Sequence, residues 1–207
     1  MDYSDGPSGE PPTAGLEYAQ RLQRLSTRGW KRMLDVQAPY RWNLRRRLDG
    51  RILDVGCGTG RNLAHLSAES VGVDHNPHSI GVCRDRGLTA FTVEEFFADE
   101  DAHAPASYDG LLAAHLIEHL PAEDATEILA SYLPAIKPGG TIMFITPQER
   151  GYASDSTHVA FTDFDALRQI ADDLGLRETQ RYSFPFPRVV GRVFTHNEFN
   201  FLAENPR

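Results

Sequence analysis

The segment from Ile52 to Gly60 constrains the fold of this chain most strongly. It reads ILDVGCGTG, an apolar run that leads into glycine at every second position. Glycine lets the backbone turn tightly there and lets a ligand approach where a Cβ would block it. The segment therefore predicts a buried strand followed by a ligand-binding loop and a helix.

The chain after this loop alternates short apolar runs with helical stretches, which is typical of a mostly parallel sheet covered by helices. The predicted strands are 51–55, 70–74, 89–93, 108–113 and 141–146. Helices are predicted to begin near Gly60, Asn76 and Pro121, the last ending before a Pro-Gly-Gly turn at 138–140, with a further helix over 163–174. Two alternating runs, 177–184 and 192–203, predict a C-terminal hairpin at the sheet edge.

The length of 207 residues fits one domain, which we assign to 16–207. Residues 1–15 are rich in proline and glycine with almost nothing apolar, so a disordered tail is expected. Residues 16–48 predict a helical cap that covers the ligand as a lid, 51–176 a ligand-binding core, and 177–203 the hairpin.

Composition excludes several classes of protein. No stretch approaches the roughly 18–20 apolar residues that cross a bilayer, and the N-terminus lacks the features of a secretory signal. Two cysteines form no disulfide framework, so we expect a cytoplasmic protein. The net charge of −8 disfavours nucleic acid as a partner. The arginines between Arg41 and Arg51 are interpreted as a solvated helix face, with an anionic-substrate patch as the alternative.

Two acids accompany the glycine loop. Asp54 stands two residues before the first glycine, and Asp74 ends the second predicted strand, 18 residues after Gly56. An acid at the position of Asp74 can accept hydrogen bonds from both hydroxyls of a ribose. The charge of Asp54 opposes a pyrophosphate and suits a cationic ligand group instead.

These motifs resemble those of the class I S-adenosylmethionine-dependent methyltransferases over about 51–176. The loop resembles the family's first motif, 92–94 the segment beside the adenine, 108–115 the fourth strand, and 133–140 the turn before the fifth. The resemblance implies a Rossmann-like α/β fold, with a seven-stranded sheet of order 3-2-1-4-5-7-6 and an antiparallel seventh strand. It also implies an S-adenosylmethionine site made by the following residues: Asp54, Gly56, Cys57, Gly58, Gly60, Asp74, His75, Val93, Glu94 and His115. Thr92 departs from the family by replacing an acid.

A second cluster follows the fourth strand. His115, Glu118 and His119 are spaced i, i+3 and i+4, which places them on one face of a helical turn, and His158 follows the fifth strand. Three imidazoles and one carboxylate suit Zn²⁺, Mn²⁺ or Fe²⁺ better than Mg²⁺, although a weakly held Mg²⁺ stays open. The pattern resembles the metal-binding segment of terminal small-RNA 2′-O-methyltransferases and the matching segment of ubiquinone-pathway O-methyltransferases, with His115 in place of their first glutamate.

The cluster has two other interpretations. His115 or His158 could act without metal as a general base, or the histidines could only pack the start of a helix. Tyr18, Trp30, Tyr40 and Trp42 form either a helix–helix core or the wall of an acceptor pocket.

The working hypothesis is O-methylation of a small or oligosaccharide hydroxyl, because the chain has a general likeness to actinobacterial sugar O-methyltransferases of polysaccharide assembly. A quinone or phenol O-methyltransferase, an RNA 2′-O-methyltransferase and a non-catalytic cofactor-binding module are the alternatives. A sugar or phenol acceptor would be a small molecule, and an RNA substrate would call for a more basic surface than this chain has.

Overall fold

A computed structural model describes residues 37–207 of the chain. The predicted tail 1–15, most of the predicted cap 16–48, Tyr18 and Trp30 lie outside the described residues. Over the described part, no helix is both long enough and apolar enough to cross a membrane.

The described chain alternates strands and helices as the sequence predicts. The strands are β1 Ile52–Val55, β2 Val71–Asp74, β3 Ala90–Thr92, β4 Tyr108–Ala114, β5 Ile136–Pro147, β6 Arg177–Phe184 and β7 Glu198–Glu204. The α-helices are α1 Ala38–Arg47, α2 Pro77–Asp85, α3 Val93–Ala98, α4 Ala122–Tyr132, α5 Glu149–Tyr152 and α6 Phe164–Asp173. Short 3₁₀ helices cover Leu63–His65, Ile117–His119, Leu133–Ala135 and Arg188–Arg192.

The seven strands form one sheet in the order β3-β2-β1-β4-β5-β7-β6, as predicted. The first five strands run parallel, and β7 is antiparallel to β5 and to β6. The C-terminal hairpin is therefore confirmed, with its second strand starting at Glu198 and a 3₁₀ helix before it. This topology brings the carboxyl ends of β1, β2, β4 and β5 to one edge of the sheet, where ligands bind in open α/β sheets.

Both faces of the sheet are buried. On one face, Leu44 and Leu48 from the region of α1 pack against Ile52, Leu112 and Met143. The opposite face carries the larger core, to which α3, α4 and α6 contribute apolar side chains. Because every residue of β1 is buried, this strand holds Asp54 inside the protein instead of at its surface.

The prediction of a helix beginning near Gly60 was wrong. Ten residues separate Gly60 from Val71, which is too short for a helix to run back along β1 and return. The segment instead forms turns and the 3₁₀ helix Leu63–His65, in which the N–H groups of His65 and Leu66 donate to carbonyls three residues earlier.

Two other boundaries differ from the sequence prediction. The Pro-Gly-Gly segment at 138–140 lies within β5, where the pairing with β4 shifts register between Tyr108 and Gly110. Val93, predicted as the end of a strand, begins α3. A capping box explains this change, since Thr92 Oγ1 accepts from the Glu95 N–H at 3.2 Å and the Glu95 carboxylate accepts from the Thr92 N–H at 2.8 Å.

Thr92→Ala is expected to lower the free energy of unfolding by about 1 kcal/mol, because it removes the side-chain cap of α3. Urea unfolding followed by circular dichroism measures this loss. Thr126→Ala is the matched control, since the Thr126 hydroxyl donates within its own helix to Ala122 and caps nothing. Equal effects of the two substitutions would contradict the role of the cap.

Candidate active site

The glycine loop folds across the ends of β1 and β2. Gly56, Gly58 and Gly60 have φ values of 76°, 54° and 75°, which lie in the left-handed region that favours glycine. The N–H groups of Gly56 and Cys57 both donate to the carbonyl of Val73, at 2.8 and 3.1 Å. The loop is thereby held at the carboxyl edge of the sheet with its backbone open to a ligand.

Asp74 closes this loop from β2. Its Oδ2 accepts from the Gly58 N–H at 2.8 Å, and its Oδ1 accepts from the Asn76 N–H at 2.9 Å. A carboxylate offers about four acceptor positions, so these two bonds leave capacity for ribose hydroxyls. The position at the end of β2 is the one that the sequence assigned to a ribose-binding acid.

Asp54 is a buried carboxylate with an unsatisfied oxygen. The Leu63 N–H donates to it, yet its Oδ2 has no hydrogen-bond partner within residues 37–207. Burial first, and then the charge of Asp74, raise the pKa of Asp54 to about 7, while Arg61 opposes that rise. A buried, unpaired acid is costly unless a positive group meets it, so this position is suited to a cationic ligand group.

The other predicted cofactor residues lie at the same edge and differ in what they can offer. The Cys57 side chain is buried against Cys83, which leaves only its backbone for a ligand. His75 follows β2, with its Nδ1 3.6 Å from Asp74 Oδ1 and its side chain 42% exposed. Val93 and Glu94 begin α3 directly after β3, where Glu94 is exposed.

His115 is held between two carboxylates. Its Nδ1 lies 3.1 Å from Glu118 Oε1, and its Nε2 lies 3.0 Å from Glu198 Oε1. Burial alone lowers the pKa of His115, but the hydrogen bonds to Glu118 and Glu198 outweigh it and raise the pKa to about 9. At neutral pH the ring is therefore an imidazolium that donates from both nitrogens, with no lone pair for a metal or for a proton.

The predicted common helical face of His115, Glu118 and His119 was wrong. His115 has a φ of 58°, and the 3₁₀ helix begins only at Ile117. The left-handed residue turns the His115 ring towards β7, which explains its contact with Glu198. His115 consequently stands beside the cluster that the other predicted ligands form.

Glu118, His119 and His158 come together as a candidate metal centre. Each offers one ligand atom, and these three atoms lie within 4.8 Å of one another. Glu118 is fully buried, and its Oε2 has no hydrogen-bond partner within the described chain. The N–H groups of Val159 and Ala160 donate to the Glu118 carbonyl, which fixes the loop carrying His158 against the 3₁₀ helix.

The two imidazoles of this cluster are oriented by backbone carbonyls. His119 Nδ1 lies 3.2 Å from the backbone carbonyl oxygen of Thr157, and His158 Nδ1 lies 2.8 Å from the backbone carbonyl oxygen of Tyr152. A carbonyl only accepts, so each Nδ1 carries a hydrogen, and Nε2 is the ring nitrogen left for a ligand. Metal-binding histidines are oriented by such contacts, so the donor set and its orientation fit a divalent cation.

Sequence reasoning missed Glu198. It is 83 residues from His115, and no local pattern connects them; only the antiparallel pairing of β7 with β5 brings them together. Of the aromatic candidates, Tyr40 is half-buried and donates from its hydroxyl to the His196 carbonyl at 2.8 Å. Trp42 is 57% exposed beneath the Arg46 guanidinium, so it is not part of a core within the described residues.

Residues 16–181 match a family model described as a methyltransferase domain. The chain belongs to this family. A ubiquinone biosynthesis O-methyltransferase of Proteus mirabilis is 31% identical over 120 residues, which cover 52% of this chain and 48% of the relative. One from Xanthomonas oryzae is 28% identical over 158 residues, 67% of this chain and 65% of the relative. The chain thus spans about half to two thirds of these relatives.

A solved structure gives the same fold. The crystal structure of a SAM-dependent methyltransferase from Archaeoglobus fulgidus superposes with a TM-score of 0.65 at 21% identity, covering 89% of this chain and 99% of the other. In this fold the glycine loop lies at the carboxyl edge of the sheet, where ligands bind in open α/β sheets. The unsatisfied oxygen of Asp54 would fit the ammonium group of S-adenosylmethionine, the ligand that the sequence resemblance implies.

Proposed function

We propose that this chain is an S-adenosylmethionine-dependent O-methyltransferase that acts on a phenol or quinol hydroxyl with the help of a divalent cation. The observation that carries the proposal is that two buried, unsatisfied carboxylates lie near one sheet edge: Asp54 within β1, and Glu118 in the segment that follows the neighbouring strand β4. Asp54 fits the ammonium group of the methyl donor, and Glu118, together with two imidazoles, fits a metal ion.

The acceptor class is supported by the relatives, which are named ubiquinone biosynthesis O-methyltransferases. They favour the phenol or quinone alternative over the saccharide that we expected from the sequence. The acidic net charge supports a small-molecule acceptor over RNA.

The residues of the chain divide the chemical work by position. When bound, S-adenosylmethionine supplies a methyl group on a positively charged sulfur, which leaves as a neutral thioether when the hydroxyl oxygen takes the methyl. Asp54 would bind the ammonium group of the donor, and Asp74 its ribose hydroxyls. A divalent cation at Glu118, His119 and His158 would lower the pKa of an acceptor hydroxyl.

His115 supports the candidate metal centre by its hydrogen bond to Glu118. Its imidazolium donates to Glu118 Oε1, the oxygen that also lies 4.0 Å from His158 Nε2, while Oε2 has no hydrogen-bond partner in the described chain. With both ring nitrogens donating, His115 cannot take the proton of the acceptor. This proton therefore leaves through another acceptor, such as solvent.

Transfer of labelled methyl groups tests the proposal. Purified protein is given S-adenosylmethionine with catechols, simple phenols, glycosides or a short RNA, with and without EDTA. We expect label on phenolic hydroxyls, loss of transfer with EDTA, and recovery when Mn²⁺, Zn²⁺ or Mg²⁺ is restored. Transfer to glycosides or RNA alone would overturn the acceptor class, and transfer unaffected by EDTA would overturn the role of the metal.

A further inference from the structure

Glu198 lies at the edge of the sheet where the candidate active site is built. It is the first residue of β7 and pairs with Pro147, the last residue of β5. Since β7 runs antiparallel to β5, its beginning lies beside the carboxyl ends of β4 and β5. His115, which follows β4, reaches Glu198 directly.

The side chain of Glu198 lies on the face of the sheet that α1 covers. Alternate residues of a strand share one face, so Glu198 is on the side of Asn200 and Leu202. Leu202 belongs to the core cluster of Leu44, and Asn200 Oδ1 accepts from Asn43 of α1 at 2.7 Å. This places Glu198 beneath the first turn of α1, which carries Tyr40.

The Tyr40 hydroxyl lies close enough to Glu198 to be affected by the charge of its carboxylate. Burial, and then the carboxylate of Glu198, raise the pKa of the Tyr40 hydroxyl, whereas Arg61 lowers it. The Tyr40 hydroxyl donates its hydrogen to the His196 carbonyl, so this hydrogen is not available to Glu198. Tyr40 and Glu198 therefore lie near one another where β7 begins.

Glu198 has acceptor capacity that the described chain does not use. Its Oε1 accepts from His115, while Oε2 has no hydrogen-bond partner in the region 37–207. The side chain is 12% exposed, so a small ligand can reach it. A carboxylate with an accessible, unused oxygen at this edge is suited to a hydroxyl donor.

We infer that Glu198 is an acceptor-binding residue whose Oε2 accepts a hydrogen bond from a second hydroxyl of the acceptor. The inference rests on the proposed function. Glu118 and Glu198 bind opposite nitrogens of the same His115 ring, so an acceptor beside that ring meets the candidate metal centre on one side and Glu198 on the other. An acceptor with two neighbouring hydroxyls satisfies both groups, and one with a single hydroxyl leaves Glu198 without a partner.

This arrangement selects diols over single hydroxyls. A site built to bond a hydroxyl rejects an analogue that lacks it, because its own polar group is then left unpaired. Catechol and phenol differ by this one hydroxyl. The wild-type protein is therefore expected to favour catechol, and the preference is expected to depend on Glu198.

The test compares Glu198→Gln with wild type on catechol and phenol, with saturating S-adenosylmethionine and Mn²⁺. Gln keeps an oxygen that accepts from His115 but removes the charge and the second acceptor. We expect KM for catechol to rise about tenfold or more, with kcat/KM for phenol nearly unchanged. Glu198→Asp, which keeps the charge, should retain part of the preference.

Glu204→Gln is the matched control, since Glu204 ends the same strand and pairs with Arg177 at the surface. Equal losses for catechol and phenol in Glu198→Gln would overturn the inference and leave Glu198 only a support for His115. Unchanged kinetics would overturn it as well.

Calorimetric binding of catechol to protein loaded with S-adenosylhomocysteine and Mn²⁺ separates the two proposals. If Glu198→Gln binds catechol more weakly than the wild type does, but the wild type transfers no methyl group, the result would support the binding role of Glu198 and count against the proposed function. No catechol binding to wild type would overturn both.

Discussion

Asp54→Asn is expected to weaken binding of S-adenosylmethionine at least about 100-fold, because it removes the buried charge that meets the ligand's ammonium group. The same substitution is expected to raise the thermal unfolding temperature of the ligand-free protein at pH 8. The wild-type carboxylate is ionised there without a partner for Oδ2, and Asn removes that cost. Calorimetry gives the affinity, and differential scanning fluorimetry gives the unfolding temperature.

The pH dependence of this stability follows from the raised pKa of Asp54. Burial moves the pKa from 3.8 to about 7 in the folded protein, so the folded state binds the proton more tightly than the unfolded state. The destabilisation is absent below pH 3.8, grows as the pH rises, and reaches its full size above about pH 7. The wild type and Asp54→Asn should therefore have similar stabilities in acid and diverge as the pH rises to 8.

Asp85→Asn is the control for these measurements, since Asp85 is exposed at the end of α2. It should change neither the affinity nor the pH profile. Unaltered binding of S-adenosylmethionine to Asp54→Asn, or a loss of stability at pH 8, would contradict the role assigned to Asp54.

Glu118→Gln is expected to lower metal affinity and metal-dependent methyl transfer about 100-fold or more, with little change in the affinity for S-adenosylmethionine. Gln keeps an oxygen that accepts from His115, but it replaces the buried carboxylate beside His119 and His158 with a neutral amide. Metal content after dialysis, measured by mass spectrometry, and methyl transfer at fixed Mn²⁺ check the two effects.

Glu123→Gln provides the comparison, because Glu123 is an exposed acid in the first turn of α4 and faces no imidazole cluster. It should retain both metal and transfer. A Glu118→Gln protein with full metal content and full activity would rule out the proposed centre. Loss of S-adenosylmethionine binding as well would show that the substitution disturbs the fold around the site.

The sequence predicted the fold well where local patterns decide it. The strand and glycines of 52–60 specify the loop by backbone geometry alone, and Asp163 and Gly175 mark the ends of α6 in sequence and structure alike. The helix expected after Gly60 does not form, because the ten residues between Gly60 and β2 are too few for a helical crossover. This limit comes from the pairing of β1 with β2 and not from the local sequence. Val93 was misassigned because the reciprocal cap of Thr92 and Glu95 overrides its preference for strands.

The candidate active site could also be predicted only in part from the sequence. Asp54 and Asp74 follow from their spacing to the glycines, and Glu118, His119 and His158 come together as the residue types suggested. The orientation of His115 depends on a single left-handed φ that no residue pattern indicates. Glu198 could not be found because sheet register, and not sequence distance, makes it a neighbour.

A crystal structure with S-adenosylhomocysteine and Mn²⁺, using the anomalous signal of manganese, would test the cofactor site and the metal centre together. We expect the amino group of the ligand at Asp54 Oδ2, its ribose at Asp74, and a manganese peak bound by Glu118, His119 and His158. A ligand bound away from the glycine loop, or manganese absent from this cluster at saturating concentration, would overturn the proposed function.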